Sequence, residues 1–410
     1  MLQVSKGNPK PGAPPLVLPK SKSIANRLLI LNLLYDCPLP LDLGEARDTQ
    51  ILMRALQQVQ NTGIVNIEDA GTAMRFLTAA LSVRPGQYRL LGTARMHERP
   101  MAPLLLALKS LGADIHCEVR EGFAPLSIRG KLLKASSIAV DTQLSSQFIS
   151  ALLMVAPALQ CSQITMNGPV VSRPYIALTA QLMQNMGWPI AIMEQSLHIG
   201  ERQSTYAPSI EVEPDWSGIA YWYSLVALSP EPIKISCKNF KPQSLQADAV
   251  CERVFFQLGV LTEYTSEGLC LSNKPTSTVF LEWNCRDCPD LVPALICCCA
   301  ALGISAKLKG VSHLAYKESN RLEALKRELG RRGFQLRLDE DLLFLPASNP
   351  IPIHSVISSY QDHRLIMCFI PWIVRGWTFD VPDPETVHKS YPSYWDHLKQ
   401  LGFDVLLLKK

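Results

Sequence analysis

The sequence predicts an α/β protein assembled from repeated units, each a helix running into a strand. Three observations predict it. An amphipathic helical stretch, a glycine and a short extended segment recur six times. In the second half of the chain these glycines fall at intervals of 72, 74 and 69 residues, and a steady period is the mark of repeated supersecondary units. No GxGxxG follows a strand and no GxxxxGK[ST] occurs, so a nucleotide-binding sheet loses its main support.

The copies, in order, are Ile51–Ile67, Ala102–Val119, Ala177–Ile192, Ala249–Tyr264, Leu322–Leu338 and Ser393–Leu408. In each, apolar residues recur at helical spacing up to the glycine; Leu322, Leu325 and Leu329 are one such row. Gly63, Gly112, Gly187, Gly259, Gly333 and Gly402 stand where a left-handed helix C-cap is expected. The short segments beyond them read as strands. Taken alone, helix–Gly–strand is common in any α/β protein, so the regular spacing carries the argument.

Composition bounds the rest. The chain has 410 residues, 47% of them hydrophobic, enough for a large core and roughly two or three domains. Charged residues make up 19%, which argues against disorder. A net charge of +4 is too small to call for nucleic acid but suits an anionic small molecule if the cations converge. The opening "MLQVSKGNPKPGAPP" is polar and Pro-rich, unlike a secretory leader. No run is long and apolar enough to span a bilayer. The 12 cysteines lie largely in apolar stretches such as "ALICCCAALG" and read as reduced, buried thiols. Cys285 and Cys288 form one CxxC without the second pair that a zinc site needs. A cytoplasmic protein without membrane, nucleic-acid or metal partners is expected.

The chemistry-bearing residues gather at helix starts. "KSKSIANR" places Lys22, Ser23 and Arg27 at one, and "AGTAMR" places Gly71 at another. "RMHERP" carries Arg99; "SSQFISALLM" carries Ser145, Ser146 and Gln147; "SRPY" carries Ser172 and Tyr175. "KESNR" sets Lys317, Glu318 and Arg321 on first turns, "QDHR" sets Arg364 and "HKSYP" sets Lys389. A helix N-terminus presents free N–H groups and the positive end of its dipole, so it attracts anions. Cations there do not stabilise the helix, and a shared anion would explain them. Any single cluster also fits ordinary N-caps and surface charges. The recurrence at one element end favours the anion.

These motifs, with Pro289–Asp290 between them and in this order, resemble the 3-phosphoshikimate 1-carboxyvinyltransferases, or EPSP synthases, over nearly the whole chain. The resemblance implies a two-domain inside-out α/β barrel, each domain made of three βαβαββ units. It implies a discontinuous domain of residues 1–18 and 214–410, a central domain of residues 19–213, and an active site in the cleft between them. The implied reaction moves the enolpyruvyl group of phosphoenolpyruvate to the 5-hydroxyl of shikimate 3-phosphate, with no cofactor or metal, in a monomer.

By motif, shikimate 3-phosphate falls to Lys22, Ser23, Arg27, Ser145, Ser146, Gln147, Ser172, Tyr175, Asp290, His313 and Lys317. Phosphoenolpyruvate falls to Lys22, Gly71, Arg99, Gln147, Arg321, Arg364 and Lys389. Glu318 is the implied proton donor and Asp290 the base, with Lys22 assisting. Arginine forks suit carboxylate and phosphate, and a glycine lets backbone approach a ligand closely. The sequence departs from the common pattern at Lys20, Asp69, Phe76, Asn320 and His313, and in the bulky run "PDWSGIAYW". The UDP-N-acetylglucosamine enolpyruvyl transferases share fold and donor, but a cysteine upstream of their loop Arg-Pro is missing from "LLGTARMHERP". A non-catalytic anion-binding relative is the remaining alternative, and the joint presence of Lys22, Asp290, Glu318, Arg364 and Lys389 argues against it.

Overall fold

A computed structural model describes residues 1–10, 12–142, 145–204 and 210–408. The chain divides into two compact units, Met1–Lys20 with Glu213–Lys410, and Ser21–Val212. The larger unit begins with strand β1 (Leu2–Ser5).

The unit Ser21–Val212 opens with α1 (Lys22–Tyr35), α2 (Arg47–Asn61), β2 (Ile64–Asn66), α3 (Gly71–Ser82) and β3 (Gly86–Leu91). It continues with α4 (Ala94–His97), α5 (Ala102–Ser110), β4 (Asp114–Cys117), β5 (Leu126–Gly130), β6 (Ser137–Asp141) and α6 (Ser146–Val155). It closes with β7 (Gln163–Asn167), α7 (Arg173–Asn185), β8 (Ile190–Ile192) and β9 (Ser196–Ile199). Its sheets run β2-β3-β5-β4 and β6-β7-β9-β8. In each, the first pair is parallel and the other two antiparallel.

The other unit resumes with α8 (Trp216–Leu228), β10 (Lys234–Lys238), α9 (Cys251–Gln257), β11 (Val260–Thr265), β12 (Gly268–Asn273) and β13 (Phe280–Asn284). Next come α10 (Val292–Leu302), β14 (Ser305–Lys309), α11 (Arg321–Arg331), β15 (Arg337–Asp339), β16 (Leu342–Leu345) and β17 (His354–Val356). Last are α12 (His363–Met367), β18 (Thr378–Val381), α13 (Tyr394–Gln400) and β19 (Asp404–Leu407). The orders β13-β14-β16-β15 and β17-β18-β1-β19 repeat the parallel–antiparallel–antiparallel pattern. The three-stranded sheet β10-β12-β11 gains the same parallel neighbour through a bridge from Leu16 to Cys237.

This unit therefore holds three repeats. Ser21–Val212 carries two sheets among the described residues, where three were expected. Between α1 and α2 the chain passes through Pro38 and Pro40, which have no N–H to give to a ladder.

All six helix–glycine–strand joints are present: α2 to β2, α5 to β4, α7 to β8, α9 to β11, α11 to β15 and α13 to β19. The six glycines have φ between 69° and 97°, the left-handed region that a Cβ penalises. At Gly63 and Gly187 an added Cβ would also lie 2.4 Å from a backbone oxygen.

The units are built inside out. Eleven of the twelve residues of α3 and ten of the eleven of α10 are buried, whereas strands alternate, β4 reading exposed–buried–exposed–buried. Helices that are apolar all round must be enclosed, and the sheets enclose them with one face outward. Each large apolar side chain so buried contributes about 1.5–3 kcal/mol. All twelve cysteines are free thiols, and all but Cys270 are buried.

Candidate functional site

Within Ser21–Val212, Lys22 opens α1, and its ammonium pairs with Asp48 at 2.7 Å in the first turn of α2. Asp48 carries no motif signal, and sequence reasoning missed it. Arg27, one turn further on, is buried. Its Nε donates to Thr179 Oγ1 at 2.7 Å and its Nη1 to the Ser23 carbonyl at 2.7 Å. Its Nη2 donates to Ser150 Oγ and to the Tyr175 carbonyl, both at 3.2 Å. Burial pulls its pKa down to about 10. The guanidinium also lies 5.2 Å from the centre of the Phe76 ring, so this departure supplies a π-face for the cation. Arg27 thereby fixes Ser23 and Tyr175, two of the expected ligands.

Gly71 begins α3 beneath two buried arginines. An added Cβ would come 2.2 Å from Arg99 Nη1 and 2.8 Å from Arg75 Nη1. Arg75 donates to the Gly71 carbonyl at 3.1 Å and to Gln147 Oε1 at 2.9 Å. It was legible in "AGTAMR" but passed over. Gln147 in turn donates to Thr72 Oγ1 at 3.2 Å. Ser145 caps α6, accepting from the Gln147 amide. Ser172 precedes α7 in a left-handed conformation, φ 55°. The Asp69 carboxylate adds to the field that holds the nearby Arg47 above its ordinary pKa, after that arginine's hydrogen bond to Glu68.

In the other unit, Arg321 is the centre. It is 1% exposed, and its fork engages three carboxylates. Nε donates to Asp362 at 2.8 Å, Nη1 to Asp290 at 2.8 Å and Nη2 to Glu318 at 2.7 Å. Arg364 Nη2 reaches the other Asp290 oxygen at 2.9 Å, and its Nη1 points to Tyr221 Oη at 3.5 Å. Burial pushes the Asp290 carboxyl up, but Arg364, then Lys317 and Arg321, override it and hold Asp290 well below the usual carboxylate range. Burial opposes the charge on Arg321, and Asp362, Glu318 and Asp290 more than restore it. Asp362, fully buried, also accepts from Ser319 Oγ and caps α12 through the Arg364 amide. This second-row acid was not singled out from the sequence.

Two placements differ from expectation. Lys317 and Glu318 do not lie on a first helical turn. They link a 3₁₀ turn, Ser312–Tyr316, to α11, which Arg321 opens. Lys389 likewise ends the 3₁₀ turn Pro384–Lys389 rather than opening α13. Asn320 is the N-cap of α11, accepting from the Glu323 amide at 3.3 Å, a task Asn performs as well as Asp. His313 is buried, and burial, then the Lys317 charge, pull its pKa down to about 3. Its ring is therefore neutral at pH 7, and its Nε2 has no hydrogen-bond partner among the described residues. The bulky run on α8 packs against the segment after Lys389. Trp222 Nε1 donates to Tyr391 Oη at 2.9 Å, which shares a 2.9 Å hydrogen bond with His397 Nδ1.

No group of three or more His, Cys, Asp or Glu among the described residues is placed to hold a metal ion. Among the described residues no helix is long and apolar enough to cross a membrane.

Known proteins resemble the chain over nearly its whole length. The family model for EPSP synthase (3-phosphoshikimate 1-carboxyvinyltransferase) matches residues 41–398. A 3-phosphoshikimate 1-carboxyvinyltransferase of Bacteroides fragilis is 39% identical over 393 residues, 95% of each chain. One from Methanospirillum hungatei is 33% identical over 422 residues, 95% of this chain and 96% of that one. A solved EPSP synthase from Acinetobacter baumannii superposes with a TM-score of 0.72 over 99% of this chain and 100% of that one. At 18% identity that likeness speaks for the fold.

Proposed function

The chain belongs to the EPSP synthase family, and from that premise we infer how its residues divide the family's reaction. The protein transfers the enolpyruvyl group of phosphoenolpyruvate to the 5-hydroxyl of shikimate 3-phosphate, releasing phosphate, a step of the shikimate pathway toward chorismate and the aromatic amino acids. Its fold is the two-domain inside-out α/β barrel.

The reaction adds the 5-hydroxyl oxygen to C2 of the donor while a proton goes to its methylene carbon. The tetrahedral adduct then loses phosphate and a methyl proton, restoring the double bond. Asp290 takes the hydroxyl proton: its carboxylate is ionised, and it gains the proton affinity a base requires once the bound anions draw Arg364 and Arg321 away from it. Glu318 delivers the proton to carbon. Paired to Arg321 it is an acceptor, so it becomes an acid once a bound anion competes for that guanidinium. Lys22, oriented by Asp48, assists at the bridging oxygen.

Arg99, Arg321, Arg364, Lys389, Gly71 and Gln147 hold phosphoenolpyruvate. Ser23, Arg27, Ser145, Ser146, Gln147, Ser172, Tyr175, His313 and Lys317 hold shikimate 3-phosphate, with Asp290. His313 offers a neutral ring nitrogen. We take the protein to be a cytoplasmic monomer; twelve unpaired thiols suit a reducing compartment.

The observation that carries the division of labour is the Arg321 fork, which ties the proposed acid and base to one cation. The test is phosphate release from the two substrates with no added metal or nucleotide. Release with UDP-N-acetylglucosamine in place of shikimate 3-phosphate, or loss of activity in a chelator, would refute it.

Gly71→Ala should raise KM for phosphoenolpyruvate about ten- to a hundredfold, because its Cβ displaces the tips of Arg99 and Arg75. The KM for shikimate 3-phosphate should move little. Equal shifts in both would remove Gly71 from the donor site.

A further inference from the structure

Asp248 has no part in the roles assigned above, yet it lies among them. It sits on the 3₁₀ turn Ala247–Val250, which packs against α8, and is 1% exposed. One carboxyl oxygen accepts from Ser217 Oγ, on the first turn of α8, whose N-cap is Asp215. The other oxygen is buried with no hydrogen-bond partner among the described residues. An ionised carboxylate with a single donor is poorly satisfied in such a place.

Asp290 approaches Asp248 from the 3₁₀ turn before α10, Arg364 from α12 and Asp215 from α8. The thiols of Cys251 on α9 and Cys285 also feel the Asp248 charge. Arg364 supplies positive charge to this group, and it already answers Asp290. Asp290, Asp248 and Asp215 thus all act on one guanidinium.

We propose that Asp248 is a positioning residue that sets how much of the Arg364 charge is available to phosphoenolpyruvate. Protonated, it leaves that guanidinium to Asp290 and the donor. Ionised, it adds a negative charge near Arg364 and repels the anionic donor. The proposal rests on the reading that Arg364 binds the donor. Burial, then Asp290, push the Asp248 carboxyl up to about 7, against the pull of Arg364. The change of state therefore falls within the range where turnover can be measured.

The experiment is the pH dependence of KM for phosphoenolpyruvate, with kcat followed separately, in the wild type and in Asp248→Asn. Titration of the substrate itself affects both proteins alike and cancels in the ratio. The wild-type KM relative to that of the variant should rise roughly tenfold between pH 6 and pH 8.5, the effect of about one pKa unit of charge interaction. The ratio for kcat should move less.

Ser217→Ala is the second variant, and it decides the matter if Asp248→Asn does not fold. Loss of the hydrogen bond to the carboxylate disfavours ionisation, so the rise in KM should shift to higher pH. A KM ratio that stays flat, or a Ser217→Ala profile that overlays the wild type, would overturn the role of Asp248. Absence of wild-type turnover at every pH would instead refute the functional reading, and this proposal with it.

Discussion

Arg321→Ala is expected to abolish turnover and to cost about 3–5 kcal/mol of stability, the range for breaking a buried ion pair by removing one partner. The substitution leaves Asp290, Glu318 and Asp362 with their shared counter-charge gone. Asp362 has no exposure to water with which to compensate. Arg321→Lys keeps the charge but not the fork, and one ammonium does not reproduce the in-plane geometry that meets three carboxylates. It should recover part of the stability and little of the activity. Urea unfolding beside a phosphate-release assay reads both quantities. A variant with near-wild-type midpoint and turnover would show that Arg321 is not the centre of the cluster.

The second large effect concerns proton transfer. Asp290→Asn and Glu318→Gln preserve shape and remove the titrating oxygen, so kcat should fall by about 10²–10⁴ with smaller changes in KM. Either variant retaining normal turnover would strike that residue from the catalytic roles. Asp290→Asn also has a signature in stability. The native carboxyl is held below its ordinary pKa. The stability this confers is therefore present above the unfolded-state pKa, about 4. It disappears as the pH falls toward the depressed native value. Wild type and variant should differ most near neutrality and converge on acidification. A gap that widened on acidification would contradict the ion pairs around Asp290.

The parts legible in the sequence are those with local causes. A glycine following a helical apolar row caps a helix for reasons contained within four or five residues, so all six joints could be placed from Gly63 to Gly402. The expected site residues were likewise read from motifs that stand on short stretches. What escaped was pairing at a distance. Arg321 meets Asp362 across 41 positions and Arg75 meets Gln147 across 72. No local pattern announces such partners. Lys317 and Lys389 were misplaced for another reason. A 3₁₀ turn of five or six residues has too few positions to display a period, so a helix start was read where a turn stood.

The eleven enclosed thiols provide the chain with its own gauge of opening. Cys37, Cys117 and Cys161 lie in the unit Ser21–Val212, and the other nine in its companion. An alkylating reagent added to the native protein should therefore modify Cys270 first, the one thiol that is not buried. Under gentle denaturation, intact mass then counts which body loosens. Three additional adducts acquired together report the smaller body alone, and eight report the larger. All eleven gained in a single step would mean that the two bodies melt as one cooperative block.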